Sequence, residues 1–355
     1  MEMDAVARSL LDWYDVHRRS LPWRDTVSPY RTWISEVMLQ QTRVETVLPY
    51  FARFMARFPA VEDLAAAESD EVMSLWSGLG YYSRARNMHK AAKQIAAAGT
   101  FPSTLEGIRA LPGVGEYMAG AIGSIAFGLD VAAIDGNLHR VLARLHASKG
   151  ARKEMWALAG QHLPSGRAGD FNQGLMDVGS QICIPRNPRC GGCPLQSHCA
   201  AFKAGTQLQF PVKPPKKKVP QRAAVCGVFR RGQRMLLTRR PAEGLYGGLY
   251  ELPGDMLAAG EAPAAGMARA AVERLGLPEL EVSAVLGSVQ HTLTHMKLTL
   301  HVLEVSAPGE PRLSHYTDAR WLDTAALEEA EIGISTLGRK ALALATSSVG
   351  QVTLF

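Results

Sequence analysis

The most informative stretch of this 355-residue chain is Leu111-Pro-Gly-Val-Gly115, which is followed by mostly small and apolar residues up to Phe127. Gly113 and Gly115 can adopt backbone angles that other residues avoid, and they allow another backbone to come very near. The segment after them predicts a helix whose free N–H groups favour an anion, and Gly128 predicts its end. The stretch therefore predicts a hairpin that holds a phosphate backbone, for which a nucleic acid is the natural source.

A carboxylate follows this helix at Asp135, directly before Gly136 and Asn137. The residues after it have helical spacing, with an apolar face of Leu138, Val141, Leu142 and Leu145 and a basic face of Arg140 and Arg144. By residue type alone, Asp135 is the N-cap of this second helix. The alternative is an acid held beside the phosphate backbone that the hairpin binds.

Length and composition predict a globular chain of two domains, because 47% of the residues are hydrophobic and only 20% are charged. The sequence shows no secretory signal and no apolar run of membrane-spanning length, so we expect a cytoplasmic protein without membrane contact. The charge is uneven: residues 1–222 hold 27 Lys and Arg against 19 Asp and Glu, and the remainder holds 12 against 14. The first part is the expected polyanion binder.

The domain boundary is visible in residues 211–220, Pro-Val-Lys-Pro-Pro-Lys-Lys-Lys-Val-Pro, which combine four prolines with four lysines and have no apolar period. Such a composition predicts a semi-rigid, basic linker. We therefore divide the chain into a first domain (1–210), a linker (211–222), a second domain (223–346) and a C-terminal tail (347–355).

The first domain is nearly all helical in pattern. Ser28-Pro29 predicts a helix start, and apolar residues then recur at helical spacing up to Pro49. Gln41 interrupts the apolar stripe, so its amide needs a partner in the core or outside the protein. Glu36 lies off the stripe beside Leu39, and a helical glutamate considered alone is a solvated surface residue.

The stretch Ser77-Gly-Leu-Gly-Tyr-Tyr-Ser-Arg-Ala-Arg86 places Leu79 between two glycines, next to aromatic and basic residues. An apolar tip of this kind can wedge between stacked bases while cations hold phosphates. The equal alternative is a turn between two helices with Leu79 tucked inside.

Four of the five cysteines form one group: Cys183, six residues, Cys190, two residues, Cys193, five residues, Cys199. Four thiolates suit zinc or a cubane iron–sulfur cluster, although the wide outer gaps are unlike the paired knuckles of a zinc ribbon. Arg186 and Arg189 make the loop basic, which fits contact with DNA. The spacing therefore predicts a metal site.

Together these segments resemble the helix-hairpin-helix DNA glycosylases of the endonuclease III superfamily, specifically the adenine glycosylases of the MutY type. The resemblance covers nearly the whole chain, and its motifs occur in the family's order: Leu21-Pro-Trp-Arg24, Trp33-Ile-Ser-Glu-Val-Met-Leu-Gln-Gln-Thr42, Leu79-Gly-Tyr-Tyr-Ser-Arg84, Leu111-Pro-Gly-Val-Gly115, Ile134-Asp-Gly-Asn137 and the cysteine spacing. It implies an all-α domain of two lobes, a cleft between a helical barrel and the cluster-bearing lobe, and a [4Fe-4S] cluster rather than zinc.

The resemblance also implies hydrolytic base removal. Lyases of the superfamily carry a lysine two residues after the second hairpin glycine, but Gly115 is followed by Glu116 and Tyr117, so the Schiff-base nucleophile is missing. Breaking an N-glycosidic bond requires two carboxylates in opposite protonation states. The family assigns protonation of adenine N7 to the position of Glu36, and stabilisation or capture of C1′ to the position of Asp135.

These roles carry expectations about the surroundings. Glu36 should lie in an apolar pocket with a raised pKa, whereas Asp135 should stay ionised among donors such as Asn137. Tyr117 should order Asp135 or the sugar. The resemblance further implies an adenine pocket of Trp23, Arg24, Leu39 and Asp177, and DNA contacts from Gln41, Leu79, Tyr81 and Arg84.

The second domain changes to short strands, predicted at 223–229, 235–238 and 296–302, with helices near 264–275 and 336–345. This α+β pattern resembles the Nudix fold, whose hydrolase motif requires a string of glutamates for magnesium. Only Glu261 and Glu273 are present, and Arg274 stands where an acid is wanted. We therefore expect a recognition domain without hydrolase activity.

The family uses this domain to sense 8-oxoguanine opposite adenine through a Phe-Ser-His loop, which corresponds here to Leu293-Thr294-His295. The hydroxyl and imidazole are kept, and the aromatic ring is lost. Without the resemblance, Thr294 and His295 would be ordinary polar residues at a strand edge.

The resemblance implies a monomeric, nucleoid-associated protein that binds double-stranded DNA with adenine opposite 8-oxoguanine or guanine. Gln351-Val-Thr-Leu-Phe355 resembles the peptide by which bacterial repair proteins dock on the sliding clamp; a final strand or frayed tail is the alternative. Two other functions stay open. One is an endonuclease III-like pyrimidine lyase, which Tyr117 and the second domain disfavour. The other is a non-enzymatic iron–sulfur reader of DNA lesions, which needs no pair of Glu36 and Asp135.

Overall fold

The computed structural model describes residues 3–212, 219–323 and 332–347. Packing divides them into two units, residues 3–66 with 87–212, and residues 67–86 with 219–323 and 332–347. Residues 213–218 of the predicted linker and the predicted tail beyond Ser347 lie outside the described residues.

The regular secondary structure of residues 3–212 is entirely helical, and no strand occurs among these described residues. In chain order the helices are α1 (Ala5–His17), α2 (Pro22–Asp25), α3 (Pro29–Leu39), α4 (Val44–Arg57), α5 (Val61–Ala66), α6 (Ser69–Leu75), α7 (Ser83–Ala98), α8 (Leu105–Arg109), α9 (Glu116–Phe127), α10 (Gly136–Leu145), α11 (Arg152–His162), α12 (Ala168–Asp177) and α13 (Ala200–Lys203). Among the described helices, none is both long and apolar enough to cross a membrane.

The predicted helix from Pro29 to Pro49 is two helices, so that prediction is wrong. α3 starts as expected, because the Ser28 side chain accepts from the backbone of the first turn. It ends at Leu39, and Gln41 then has a φ of +56°, a left-handed conformation that breaks the helix. α4 continues through Pro49, which removes one backbone donor without ending the helix.

The hairpin stretch lies between α8 and α9, as predicted. Gly113 has a φ of +80°, and a Cβ there would lie 2.8 Å from Asn87 Cβ, so conformation and space both require glycine. The small residues of α9 allow a close backbone approach, since a Cβ at Gly120 would lie 2.1 Å from Ala132 O. The left-handed Gly128 ends the helix, as predicted.

Segment 67–86 is predicted as part of the first domain, whereas its packing joins it to the second unit. Ser77 Oγ donates to Ile334 O at 2.8 Å, and the Arg86 guanidinium donates to Gly247 O at 2.5 Å. These hydrogen bonds explain the grouping, and neither could be read from local sequence.

The second unit is built on a seven-stranded sheet: β1 (Gln221–Arg231), β2 (Arg234–Arg239), β3 (Tyr250–Glu251), β4 (Gly254–Met256), β5 (Glu281–Thr292), β6 (Lys297–Ser306) and β7 (Asp318–Asp323). Its order is β3-β2-β1-β6-β5, with β4 on β1 and β7 on β2; β1 runs parallel to β6. Helices α14 (Pro263–Leu275) and α15 (Thr336–Ser347) complete the unit.

Alternation along β1 places its side chains in two separate cores. Cys226 and its alternate neighbours pack in a core with α15, whereas Val225 and Phe229 pack in a core with α14. The sheet is thus covered on both faces, and the predicted α+β class is confirmed.

Candidate active site

One cavity of about 430 Å³ in the first unit contains both predicted carboxylates. Its lining includes the four predicted catalytic residues and most of the predicted adenine pocket: Glu36, Asp135, Tyr117 and Asn137, with Trp23, Arg24 and Leu39. Residues from α2, α3, α9 and α10, far apart in sequence, therefore share one site.

Glu36 lies on α3 with only 5% of its surface exposed, so the interpretation as a solvated surface residue is wrong. Burial raises the pKa of Glu36 from 4.5 to about 7, and the nearby charge of Asp135 adds to the rise. The hydrogen bond from Tyr117 and the charge of Arg24 hold the pKa from rising further. A proton can therefore reside on this carboxyl near neutral pH.

The Tyr117 hydroxyl donates to Glu36 Oε2 at 2.6 Å. Burial and the neighbouring carboxylate of Glu36 raise the pKa of Tyr117 well above 10, which keeps the phenol a donor. Tyr117 therefore orders Glu36. The sequence led us to expect that Tyr117 orders Asp135 or the sugar, whereas its hydroxyl is hydrogen-bonded to Glu36.

Asp135 is the N-cap of α10, as predicted. Its Oδ1 accepts from the backbone N–H groups of Asn137 and Leu138, both at 2.8 Å, and its Oδ2 accepts from Asn137 Nδ2 at 3.1 Å. These donors and the helix N-terminus favour a negatively charged side chain. Because Asp135 also lines the cavity, the cap interpretation and the catalytic one are compatible.

Asp177 is fully buried and lies outside the cavity lining, unlike the other predicted adenine-pocket residues. Its carboxylate accepts from Arg24 Nη1 at 2.6 Å and from Arg19 Nε at 2.8 Å. Asp177 therefore holds two arginines that do line the cavity. Sequence reasoning missed Arg19, because its partner is 158 residues away and no spacing rule links them.

The four grouped cysteines line one small cavity of about 30 Å³. Four thiols around one small cavity are a donor set that fits a cubane iron–sulfur cluster. Cys183, Cys190, Cys193 and Cys199 are the residues that would hold a [4Fe-4S] cluster here.

Two arginines of α10 attach the cysteine loop to the helix. Arg140 donates to Cys183 O and to Gly179 O, each at 2.7 Å, and also to Asn137 Oδ1. Arg144 is 3% exposed and donates to the backbone of the same loop, including Ile184 O at 2.8 Å. The two arginines of the predicted basic face of α10 are therefore used to hold the cysteine loop against the helix.

Three predicted DNA-contacting residues of the first unit lie at its surface. Gln41 is exposed in the break between α3 and α4, and Gly113 and Gly115 are exposed in the hairpin. Gly115 has a φ of −93°, and a Cβ there would meet no other atom within 4 Å. The backbone at the start of α9 is thus open to an approaching ligand.

Four of the five remaining predicted DNA contacts line a cavity of about 420 Å³ in the second unit, and Arg84 is the exception. The glycine-flanked turn contributes Leu79 and Tyr81, and the loop between β5 and β6 contributes Thr294 and His295. Tyr81 is 44% exposed, whereas Leu79 is only 6% exposed.

Arg84 is 8% exposed, and its guanidinium holds the glycine-flanked turn. It donates to Leu79 O and Gly80 O at 3.2 and 3.1 Å, and it lies over the Trp76 ring. Burial lowers the pKa of Arg84 to about 10. In this structure the residue supports the turn and does not present its charge at the surface.

The acids of the Nudix-like segment are paired with arginines. Arg269 contacts Asp255, Glu261 and Glu273 at 2.8, 2.9 and 3.3 Å. Arg274 contacts Asp255 as well. These ion pairs occupy the acids that the sequence offers in this segment.

Comparison with known families gives three matches. Residues 34–162 match the HhH-GPD superfamily base excision DNA repair protein, residues 183–199 the iron-sulfur binding domain of endonuclease III, and residues 224–344 the NUDIX domain. These matches confirm the expected order of a helical glycosylase domain, a cluster segment and a Nudix-like domain.

Curated relatives and solved structures agree. The chain is 35% identical to the adenine DNA glycosylase of Rattus norvegicus, over 90% of this chain and 74% of that protein. It is 34% identical to that of Homo sapiens, over 90% of this chain and 70% of that protein. A thermostable thymine-DNA glycosylase aligns with a TM-score of 0.52 and 30% identity, over 56% of this chain and 95% of that one.

The solved structure of a non-covalent endonuclease III–DNA complex, at 22% identity and a TM-score of 0.50, shares the fold of 58% of this chain and 100% of its own. The matches do not favour the endonuclease III-like lyase or the non-enzymatic reader. The chain is a DNA N-glycosylase of base excision repair with a [4Fe-4S] cluster. It belongs to the adenine DNA glycosylases.

Proposed function

We propose that this protein hydrolyses the N-glycosidic bond of adenine opposite 8-oxoguanine or guanine in double-stranded DNA, without cleaving the strand. The observation that carries the proposal is the buried Glu36 carboxyl, with its pKa near 7, in one cavity with the capped carboxylate of Asp135. Two such groups suit a reaction that needs one proton donor and one anion.

Glu36 is the proposed general acid. Adenine leaves poorly as an anion, and protonation of its N7 turns it into a better leaving group. A carboxyl with its pKa near 7 can still hold this proton at neutral pH, and the Tyr117 hydrogen bond fixes its position.

Asp135 is the proposed partner of the sugar. As the bond to adenine breaks, positive charge develops at C1′, and a nearby carboxylate stabilises it or captures the carbon before water arrives. Asn137 and the start of α10 hold this carboxylate through three N–H groups. Water completes the reaction, so the base is replaced by a hydroxyl group.

The absence of strand cleavage follows from the residue at position 117. A lyase requires an amine to form a Schiff base with the sugar, whereas Tyr117 offers a phenol that is already hydrogen-bonded to Glu36. We expect free adenine and an intact abasic strand as the products.

The remaining residues bind and position the DNA. The hairpin glycines Gly113 and Gly115 would set the phosphate backbone of the extruded nucleotide. Trp23, Arg24 and Leu39 would contact the adenine, and Asp177 would act through Arg24. Gln41, Leu79 and Tyr81 would hold the opened duplex, with Arg84 as support for the turn.

We assign recognition of 8-oxoguanine to the second unit. Thr294 and His295 share a cavity with the turn that carries Leu79 and Tyr81, which places polar and apolar groups together. Leu293 replaces the family's aromatic residue, so recognition would depend on hydrogen bonds more than on stacking.

We assign a monomer that acts on the chromosomal DNA of the cytoplasm, arranged as a glycosylase domain (1–210), a linker (211–222), a recognition domain (223–346) and a tail (347–355). Gln351 to Phe355 would dock on the sliding clamp, because the adjacent apolar side chains of Leu354 and Phe355 suit such a contact.

Single-turnover excision by Glu36→Gln tests the function. Glutamine keeps the shape of the side chain but cannot donate the proton, so the rate of adenine release opposite 8-oxoguanine should fall by about 10²–10⁴-fold, while duplex binding is retained. Glu62→Gln, at an exposed site on α5, is the matched control and should excise normally.

Strand integrity is followed in the same assay before and after alkali, with borohydride trapping as a second readout. Near-normal excision by Glu36→Gln would remove this residue from the mechanism. A trapped covalent adduct or cleavage before alkali would contradict the hydrolytic reaction.

A further inference from the structure

An ion pair beside the hairpin joins two helices of the first unit. Glu116 is the first residue of α9, directly after Gly115, and Arg152 is the first residue of α11. Arg152 Nη2 donates to Glu116 Oε2 at 2.6 Å, and the two side chains are 76% and 40% exposed. An exposed pair of this kind contributes little to the free energy of folding. Its main effect is to place a guanidinium group beside the hairpin.

The loop between α10 and α11 fixes the backbone from which Arg152 extends. Gly150 O lies 2.8 Å from His139 Nε2, and the backbone N–H of Val212 donates to Lys149 O at 3.1 Å. These two contacts attach the loop to other parts of the first unit. The guanidinium of Arg152 is therefore presented to the start of α9 from an anchored segment.

The charge of Glu116 matters for a phosphate at the hairpin. A carboxylate in the first turn of a helix stabilises that helix, but it also repels a phosphate that approaches the same N–H groups. Arg152 neutralises this carboxylate. Its guanidinium presents parallel N–H donors that suit a carboxylate and a phosphate alike, so the two anions can compete for it.

We propose that Arg152 is a further contact to a DNA phosphate, and that Glu116 competes with this phosphate for the guanidinium. In the free protein Glu116 holds Arg152, and in the complex the phosphate accepts from it instead. Arg152 thus strengthens binding and Glu116 weakens it, without regard to base sequence. This role rests on the proposed function, in which the hairpin holds a phosphate.

Duplex binding by the full-length holoprotein tests the proposal, measured by fluorescence anisotropy between 50 and 200 mM salt as about a fourfold range. The probe is a duplex with adenine opposite 8-oxoguanine, and every protein carries Glu36→Gln so that the adenine is retained. Arg152→Ala should bind about 3- to 10-fold more weakly, and its salt dependence should fall by about one phosphate contact. Glu116→Gln should bind about 2- to 5-fold more tightly.

The double substitution separates a phosphate contact from simple neutralisation of Glu116. If Arg152 contacts the phosphate, Arg152→Ala weakens binding at least as strongly when Glu116→Gln is present. An effect of Arg152→Ala that disappears in the presence of Glu116→Gln would overturn the proposal, because Arg152 would then act only on Glu116. Unchanged affinity in both single variants would overturn it as well.

Two control variants make the same changes of charge elsewhere. Glu154→Gln removes an exposed acid from the first turn of α11, and Arg167→Ala removes an arginine that pairs with Asp15. Effects equal to those of Glu116→Gln and Arg152→Ala would show a general effect of net charge and contradict the specific contact. Urea unfolding of each variant confirms that the fold is intact.

Gly115→Ala distinguishes this proposal from the proposed function. A methyl group there meets no protein atom within 4 Å but obstructs a phosphate at the start of α9. Normal duplex binding by Gly115→Ala would remove the hairpin contact, and the role of Arg152 with it. Weaker binding by Gly115→Ala together with normal binding by Arg152→Ala would overturn the role of Arg152 alone.

Discussion

Replacing Tyr117 by phenylalanine tests how the cavity sets the protonation of Glu36. The Tyr117 hydroxyl donates to Glu36 Oε2 at 2.6 Å, and a hydrogen bond of this kind favours the ionised carboxylate. It therefore holds the pKa of Glu36 below the value that burial alone would produce. Tyr117→Phe keeps the ring and removes this bond, so the pKa of Glu36 should rise above about 7.

The size of the rise follows from the energy of the bond. A hydrogen bond to a charged group contributes roughly 1.5–3 kcal/mol, and each pKa unit corresponds to about 1.4 kcal/mol. The pKa of Glu36 should therefore rise by about one to two units. Because a general acid works only when protonated, the alkaline fall in the excision rate should move from near pH 7 to roughly pH 8–9.

The raised pKa of Glu36 should also make the free energy of unfolding depend on pH. Its pKa is higher in the folded protein than the 4.5 of the free side chain, so its contribution is fully present below pH 4.5 and is lost as the pH rises through about 7. The shift corresponds to about 3 kcal/mol at most. The free energy of unfolding should fall over this range relative to that of Glu36→Gln.

Single-turnover adenine release between pH 5 and 9.5 measures the first effect, and urea unfolding measures the second. Tyr30→Phe is the control, because the Tyr30 hydroxyl donates to Phe58 O and does not line the cavity. An alkaline limb that stays in place or moves to lower pH in Tyr117→Phe would refute the assigned proton donor.

Three further predictions concern other parts of the molecule. Asp177→Asn should lower the free energy of unfolding by about 3–5 kcal/mol in urea titration, because it removes a fully buried carboxylate that pairs with Arg24 and with the partly exposed Arg19. Asp15→Asn, in an exposed ion pair, should cost about 1 kcal/mol or less. His295→Ala should reduce the preference for 8-oxoguanine over guanine by about fivefold, the value of one hydrogen bond, whereas an unchanged ratio, or an equal loss in His301→Ala, would argue against its sensing role. Deletion of residues 351–355 should abolish binding to the sliding clamp in a surface-binding assay and leave excision unchanged; clamp affinity equal to that of the full chain would exclude the tail.

Local patterns predicted much of the fold. The glycine hairpin, the end of α9 at Gly128 and the cap at Asp135 were readable because each depends on a few neighbouring residues. The helix break before α4 was missed, because Gln41 adopts a left-handed conformation that is unusual for glutamine and that the sequence does not predict. Helix propensity and apolar periodicity do not predict the backbone conformation of a single residue such as Gln41.

The sequence did not predict the contacts between segments that are far apart in the chain. Arg144 occupies the polar side of an amphipathic pattern, yet it is 3% exposed because the backbone carbonyls of the cysteine loop surround it. Asp177 belongs to the predicted adenine pocket by resemblance, yet Arg19 and Arg24 occupy its carboxylate. Both outcomes depend on partners that only folding brings together.

Sequence alone was enough to identify the hairpin, the cysteine spacing, the change from helices to strands and the missing lysine at position 117, because these features are local in the chain. The protonation of Glu36, by contrast, depends on the folded structure. That property depends on burial and on a phenol 81 residues away, and neither burial nor the distance between the two groups exists before the chain folds.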